Sequence, residues 1–363
     1  MVPDASDAPP HTIRAMPAPE LLLALLRARG PSGREDEAAR VWREAAASFA
    51  EVSTDSLGSS VARVGAGSGP PLAIVGHIDE IGLAVTHVDD DGFVFFRRLG
   101  GWSGEVLVGQ RVEILTRGGV VSAIAAPKER EPLGRGEEPK RTTMDDLYLD
   151  VGARSRDEAL ALVRPGDCAV PVGEPLELAG GRLVSRALDN RVGAYVALEV
   201  ARRVAETAEP AEVAAVAAVG EEAGDYSGSR TALYGLRPAA AVVVDVTPAT
   251  DVPGGDPKRR GALALGGGPA IGRGLPLNPR ITDLLFETAE AEGIAVATEV
   301  YAGATDTDAD AVHLSRAGIP TGLVSIPQRN THMPVELVDL ADVEACVRLL
   351  IASAARFSSA GVG

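Results

Sequence analysis

Between residues 182 and 358, short apolar runs alternate with segments of helical periodicity, and this alternation constrains the chain more than any other feature. "AEVAAVAAVG", "AAAVVVDVT" and "TGLVSIP" have the length and composition of core strands. "DNRVGAYVALEVARRVAET", "NPRITDLLFETAEAEGI" and "DLADVEACVRLLIASAARF" carry apolar residues at helical spacing. Strand and helix in turn describe an α/β fold, a mostly parallel sheet with helices on both faces. Asp189 or Asn190 opens the first of these helices, Gly293 closes the second and Asp339 caps the third. Upstream, a helix is expected over roughly residues 19–29, and Leu72, Ala73, Ile74 and Val75 read as one more buried strand.

The texture changes between about residues 87 and 181. "GFVFF", "VEILT" and "GDCAVPVGEPLELAGGRLVS" are β-type runs broken by Gly, Asp and Pro, which predicts a small inserted β-barrel domain. The expected division is a flexible leader over 1–17, a catalytic α/β domain over 18–86 and 182–358, and the β insert over 87–181. Within the insert, the polar stretch over 126–143 predicts an exposed, mobile loop.

Composition narrows the partners. A formal net charge of -16 over 363 residues opposes nucleic acid and anionic membranes, which attract positive fields. Cys168 and Cys346 lack metal-binding spacing and read as buried thiols in a reducing compartment. The first twenty residues contain no apolar signal core, and no run reaches the length of a membrane span, so a cytoplasmic location is expected.

Acids and histidines gather where the apolar runs end. His77 and Asp79 follow the strand at 72–75, Glu221 and Glu222 follow "AAVAAVG", Asp245 lies inside "VVVDVT", His332 lies beyond "TGLVSIP", and Asp189 opens a helix. Ligands of open α/β sheets bind outside the carboxyl ends of the strands, so these groups can converge on one crevice. Each has an ordinary alternative: His77 bonding a turn, Asp189 as a plain helix cap, the Glu221–Glu222 pair on a solvated face. Asp245 fits a surface role least, because a carboxylate in so apolar a run needs a partner. Acids and imidazoles crowded together call for a cation, and an N/O donor set without thiolate points to zinc, cobalt or manganese.

"GHIDEIGLAV", "ALDNRVGAYVALE", "GEEAGDYSGS", "VVVDVT" and "SIPQRNTHMPVE", in this order, resemble the tetrahedral aminopeptidase family of dinuclear metallopeptidases over nearly the whole chain. The resemblance implies a zinc-peptidase-like core with an inserted domain for subunit contacts, and two divalent ions per chain. It implies His77 and Asp245 as terminal ligands of one ion, Glu222 and His332 of the other, and Asp189 as the bridge. Glu221 would be the general base, with Asp79 orienting His77. Thr305, Asp306 and Arg329 would meet the substrate, while Asp308 and Asp310 read as solvated acids at a helix start. The implied activity is release of N-terminal residues from short peptides inside a homododecamer built from dimers. Residues 223–228 and 329–331 depart from the family pattern beside the substrate pocket, which leaves side-chain preference open. Hydrolysis of another amide or of a sugar derivative on the same site is the alternative chemistry, and a non-catalytic assembly protein the alternative class.

Overall fold

The computed structural model describes residues 17–65, 69–129, 141–207 and 211–359. The expected leader, except Pro17, and residues 130–140 of the expected polar loop lie outside the described residues.

Four strands form the centre of an eleven-stranded sheet, in the order Val213–Ala218, Leu72–His77, Ala240–Pro248 and Thr321–Arg329. All three of their pairings are parallel. Antiparallel strands extend the sheet on both sides, Ser60–Val64 beside Val213–Ala218 and Glu336–Asp339 beside Thr321–Arg329. The centre reads as near-continuous apolar sequence because both of its faces are covered. Ile74, Ala215 and Val242 pack into one core, while Ala73, Val75, Val216 and Val243 pack into the other.

The helix Leu188–Ala205 is buried on nearly every side, between the sheet and the outer helices Glu20–Arg27 and Leu340–Ser359. It lies so close to the strand Leu72–His77 that a Cβ at Gly76 would overlap the backbone of Gly193 and Ala194. This contact brings Asp189, in the first turn of that helix, over the strand ends. A further helix, Asp36–Ala46, was not apparent in the sequence. It buries Trp42, whose Nε1 donates to Ala194 O at 3.0 Å.

The inserted β unit is a closed six-stranded barrel. Its strands, in barrel order, are Gly82–Val88, Val94–Leu99, Leu147–Asp150, Gly119–Pro127, Arg111–Thr116 and Cys168–Pro171. Alternate residues such as Leu83, Val85, Val112, Ile114, Leu147 and Leu149 fill its interior. Only residues 78–81 separate the last sheet residue, His77, from the first barrel residue, Gly82. Cys168 and Cys346 are both free and buried. Among the described residues, no helix is long and apolar enough to cross a membrane.

Candidate active site

The parallel register determines which polar residues can meet. His77 pairs with Ala218 at the strand ends, and Asp245 pairs with Ser325, so the four central strands deliver their carboxyl ends to one edge. There they open into a cavity of about 990 Å³ whose lining includes His77, Asp189, Glu221, Glu222, Asp245 and His332. Residues separated by up to 255 positions in sequence thus line one crevice, at the place where doubly wound sheets bind ligands.

Asp189 lies between the two histidines. His77 Nε2 is 3.2 Å from Asp189 Oδ1, and His332 Nε2 is 3.4 Å from Asp189 Oδ2. Glu221 Oε2 and Asp245 Oδ1 stand 3.6 and 3.9 Å from His77 Nε2, and Glu222 Oε2 stands 3.6 Å from His332 Nε2. Among the described residues, candidate ligand atoms cluster in two groups that share His77: one with Glu221 and Asp245, the other with Asp189 and Glu222.

The cluster is short of positive charge. Burial, followed by repulsion from neighbouring acids, pushes the carboxyls of Glu221, Glu222 and Asp245 well above the usual range. Burial opposes charge on His77, yet Glu221, Asp189 and Asp79 together raise it well above its ordinary value. Asp189 is held below the usual range against its burial by hydrogen bonds to His332 and His77. Glu222 Oε1 is buried without a hydrogen-bond partner among the described residues. A set of imidazole nitrogens and carboxylate oxygens with an unfilled acceptor fits divalent cations, and the lack of thiolate suits zinc, cobalt or manganese.

A family model for M42 glutamyl aminopeptidases matches residues 58–349. The chain belongs to the M42 peptidase family. The resemblance read from the five motifs is thereby borne out, and membership supports aminopeptidase activity. This M42 chain is similar to the lysyl aminopeptidase of Pyrococcus furiosus, at 32% identity over 342 residues, covering 91% of this chain and 94% of that protein. It is similar to the solved TET aminopeptidase of Thaumarchaeota archaeon SCGC AB-539-E09, with a TM-score of 0.88 and 33% identity, covering 94% of this chain and 98% of that one. It is also similar to the Pyrococcus horikoshii TET1 peptidase, which can assemble into a tetrahedron or a large octahedral shell. There the TM-score is 0.82 and the identity 27%, covering 92% of this chain and 98% of that one.

Around the cluster, the M42 chain holds its side chains with buried anchors. Asp79 is fully buried: Oδ1 accepts the Glu221 amide at 3.1 Å, and Oδ2 accepts the Glu222 amide at 3.0 Å and the Ser32 hydroxyl at 2.7 Å. Its Oδ1 also lies 3.3 Å from His77 Nδ1. Glu80 pairs with the buried Arg186 and Arg191 and accepts the Gly30 amide, which ties this corner to the first helix. The barrel supplies one wall through Arg98, Gly100, Gly101 and Ser103. A Cβ at Gly101 would overlap the His332 ring at Nδ1. Gly101 and Glu80 were missed because their roles depend on contacts that local sequence does not display.

The expected substrate residues separate. Thr305 and Asp306 line the cavity, with Thr305 buried and Asp306 exposed at a left-handed φ of 55°. Arg329 does not line it; its guanidinium is engaged by Asp251 at 2.6 and 3.1 Å. The expectation that Asp308 and Asp310 are solvated is wrong. Asp308 is wholly buried, and burial pushes its carboxyl up to about 6. Asp310 is half-buried and accepts the amides of Thr305 and Asp306 and the Thr305 hydroxyl. The turn folds inward onto these acids, where a free helix start would have left them in water.

Proposed function

We propose that the chain is a dinuclear metallo-aminopeptidase that removes N-terminal residues from short peptides. The observation that carries this reading is the placement of His77 Nε2 and His332 Nε2 against opposite oxygens of one carboxylate, Asp189. A carboxylate so addressed suits a bridge, with His77 and Asp245 holding one ion and Glu222 and His332 the other. Two divalent ions there would polarise the scissile carbonyl and lower the pKa of a water.

The remaining chemistry belongs to the chain. Glu221, on the cavity wall, takes the proton of the attacking water and returns it to the leaving amine. Asp79 faces His77 Nδ1 and fixes the tautomer that leaves Nε2 free as a donor atom. Thr305 and Asp306 contact the bound peptide from their side of the cavity. Arg329 is given no such role because Asp251 engages it.

The activity is tested with a panel of aminoacyl amides and blocked peptides, using metal-free protein reloaded separately with zinc, cobalt or manganese. Amide turnover restored by metal, with no action on N-terminally blocked peptides, is the expected result. Failure of every metal to restore it would exclude the reading. The protein acts in the cytoplasm, where reduced Cys168 and Cys346 persist.

The barrel pairs subunits into dimers, and the dimers close into a homododecamer. Exposed Val120 and Ile124 on its outer surface supply apolar area for such pairing. Twelve chains of 37.4 kDa give roughly 450 kDa, a discrete species expected of closed symmetry. Sedimentation velocity returning a monomer in metal-replete buffer would refute the assembly and leave the chemistry standing.

A further inference from the structure

Glu336 lies in the strand Glu336–Asp339, is 1% exposed, and belongs to none of the ligand groups. Its two carboxylate oxygens nevertheless reach two of the residues proposed above as ligands. Oε2 accepts the amide of Asp189 at 3.0 Å, and Oε1 accepts the amide of His332 at 3.1 Å. Asp189 comes from the first turn of the helix Leu188–Ala205, whereas His332 comes from the loop after the strand Thr321–Arg329. One carboxylate thus clamps the backbones of the two residues whose side chains meet at 3.4 Å on the other side.

The clamp matters most for His332. Its φ of 60° is left-handed, a region that costs a non-glycine residue energy unless the surroundings enforce it, and Asn330 two positions earlier has a φ of 59°. Its side chain is 35% exposed, whereas that of His77 is 1% exposed. Where packing does not hold the imidazole, a backbone anchor and the backing of Gly101 must. A buried carboxyl group whose two oxygens each accept one of these amides suits that task, because it fixes both backbones from one side chain.

We infer that Glu336 is a positioning residue that sets the spacing of Asp189 and His332 and thereby the affinity of the ion site formed by His332, Glu222 and Asp189. It touches neither substrate nor reacting atoms and acts through the two backbones it holds. This rests on the ligand assignment proposed above.

The test uses Glu336→Gln in the full-length protein. The glutamine keeps the shape but offers one acceptor oxygen, so one of the two amides faces an NH2 donor. Equilibrium dialysis with zinc and the visible absorption of the cobalt-loaded protein are read alongside near-UV circular dichroism. One ion is expected to stay at wild-type affinity while the other weakens by about 10- to 100-fold, the usual effect of losing a group that holds a ligand. The cobalt spectrum should change in the same variant. If Glu336→Gln does not fold, Glu336→Asp, which keeps the charge and shortens the reach, is read for the same split. Two ions bound at wild-type affinity with an unchanged cobalt spectrum would overturn the inference, as would equal weakening of both. Asp189→Asn run in parallel separates the two readings. If that variant also keeps both ions, the ligand assignment has failed; if it loses them while Glu336→Gln does not, only the role of Glu336 has.

Discussion

Asp79 Oδ1 accepts the amide of Glu221 and lies within ion-pair distance of His77 Nδ1, so a single oxygen addresses the backbone of one cluster residue and the imidazole of another. On the proposed assignment, Asp79 would orient the His77 ring and hold the Glu221–Glu222 turn against it. Asp79→Asn turns one of its oxygens into an NH2 group that cannot accept. Metal affinity is expected to fall about 10- to 100-fold, with activity recovered at high metal concentration. Full activity at limiting metal would remove Asp79 from the orienting role.

Glu221 and Glu222 are distinguished by what they lose. Glu221→Gln should keep two ions per chain while turnover drops by at least about 100-fold, the low end of general acid–base contributions. Glu222→Gln should lose an ion. Metal stoichiometry measured on both variants decides the matter. The opposite pattern would make Glu221 the ligand, a role for which its grouping with His77 and Asp245 leaves room.

Gly101→Ala tests the barrel wall. The added methyl meets the His332 ring, so the imidazole must move away from Asp189 and Glu222. Gly101 itself is exposed, and the fold should tolerate the change. Turnover is expected to fall by about 10-fold or more with little change in Tm, in keeping with the sensitivity of metal sites to ligand placement. A fall in Tm that accounts for the lost activity would count against this reading.

Glu35, outside the proposed ligand set, gives a pH signature of its own. Burial, with a further push from Asp79, raises its carboxyl from 4.5 to about 7. Between those values the folded chain holds a proton that the unfolded chain has released. Stability from this group is therefore full below pH 4.5 and is lost as pH rises through about 7, at up to about 1.4 kcal/mol per pH unit. Glu35→Gln should flatten the decline of Tm between pH 5 and 8, and an unchanged slope would refute the shift.

The strand ends that carry the polar cluster were legible because burial forces a pattern on sequence. Val243, Val244 and their neighbours are apolar on both faces, so Asp245 stands out among them. The barrel was legible from short runs broken by turn residues, but not its limits: its first strand begins at Gly82, inside the expected catalytic segment, and Leu176–Leu178 and Arg182–Ser185 of the run read as β insert pair into the large sheet. Glu336 was given no role although it ends the motif "SIPQRNTHMPVE", because one of the two amides its carboxylate accepts lies 147 positions away. Asp308 was misread for the related reason that acids at a helix start are usually solvated. Only the tertiary fold shows that this turn is packed against the cluster. Glycine roles such as that of Gly101 depend on which neighbour arrives, and spacing along the chain does not encode that.

The short crossing from His77 to Gly82 has a mechanical corollary. The barrel is joined to the sheet through residues 78–81 alone, directly after a cluster imidazole, and it returns through Gly101 to rest against another. If the cluster is the reaction centre proposed above, the barrel is placed to act on it as a lever. In the proposed assembly, a load applied to its outer strands by a neighbouring subunit would reach His77 and His332 with little chain between to absorb it. Subunit packing and peptide cleavage would then have had to change together, since a substitution that tilts the barrel also resets the distance between the two imidazoles.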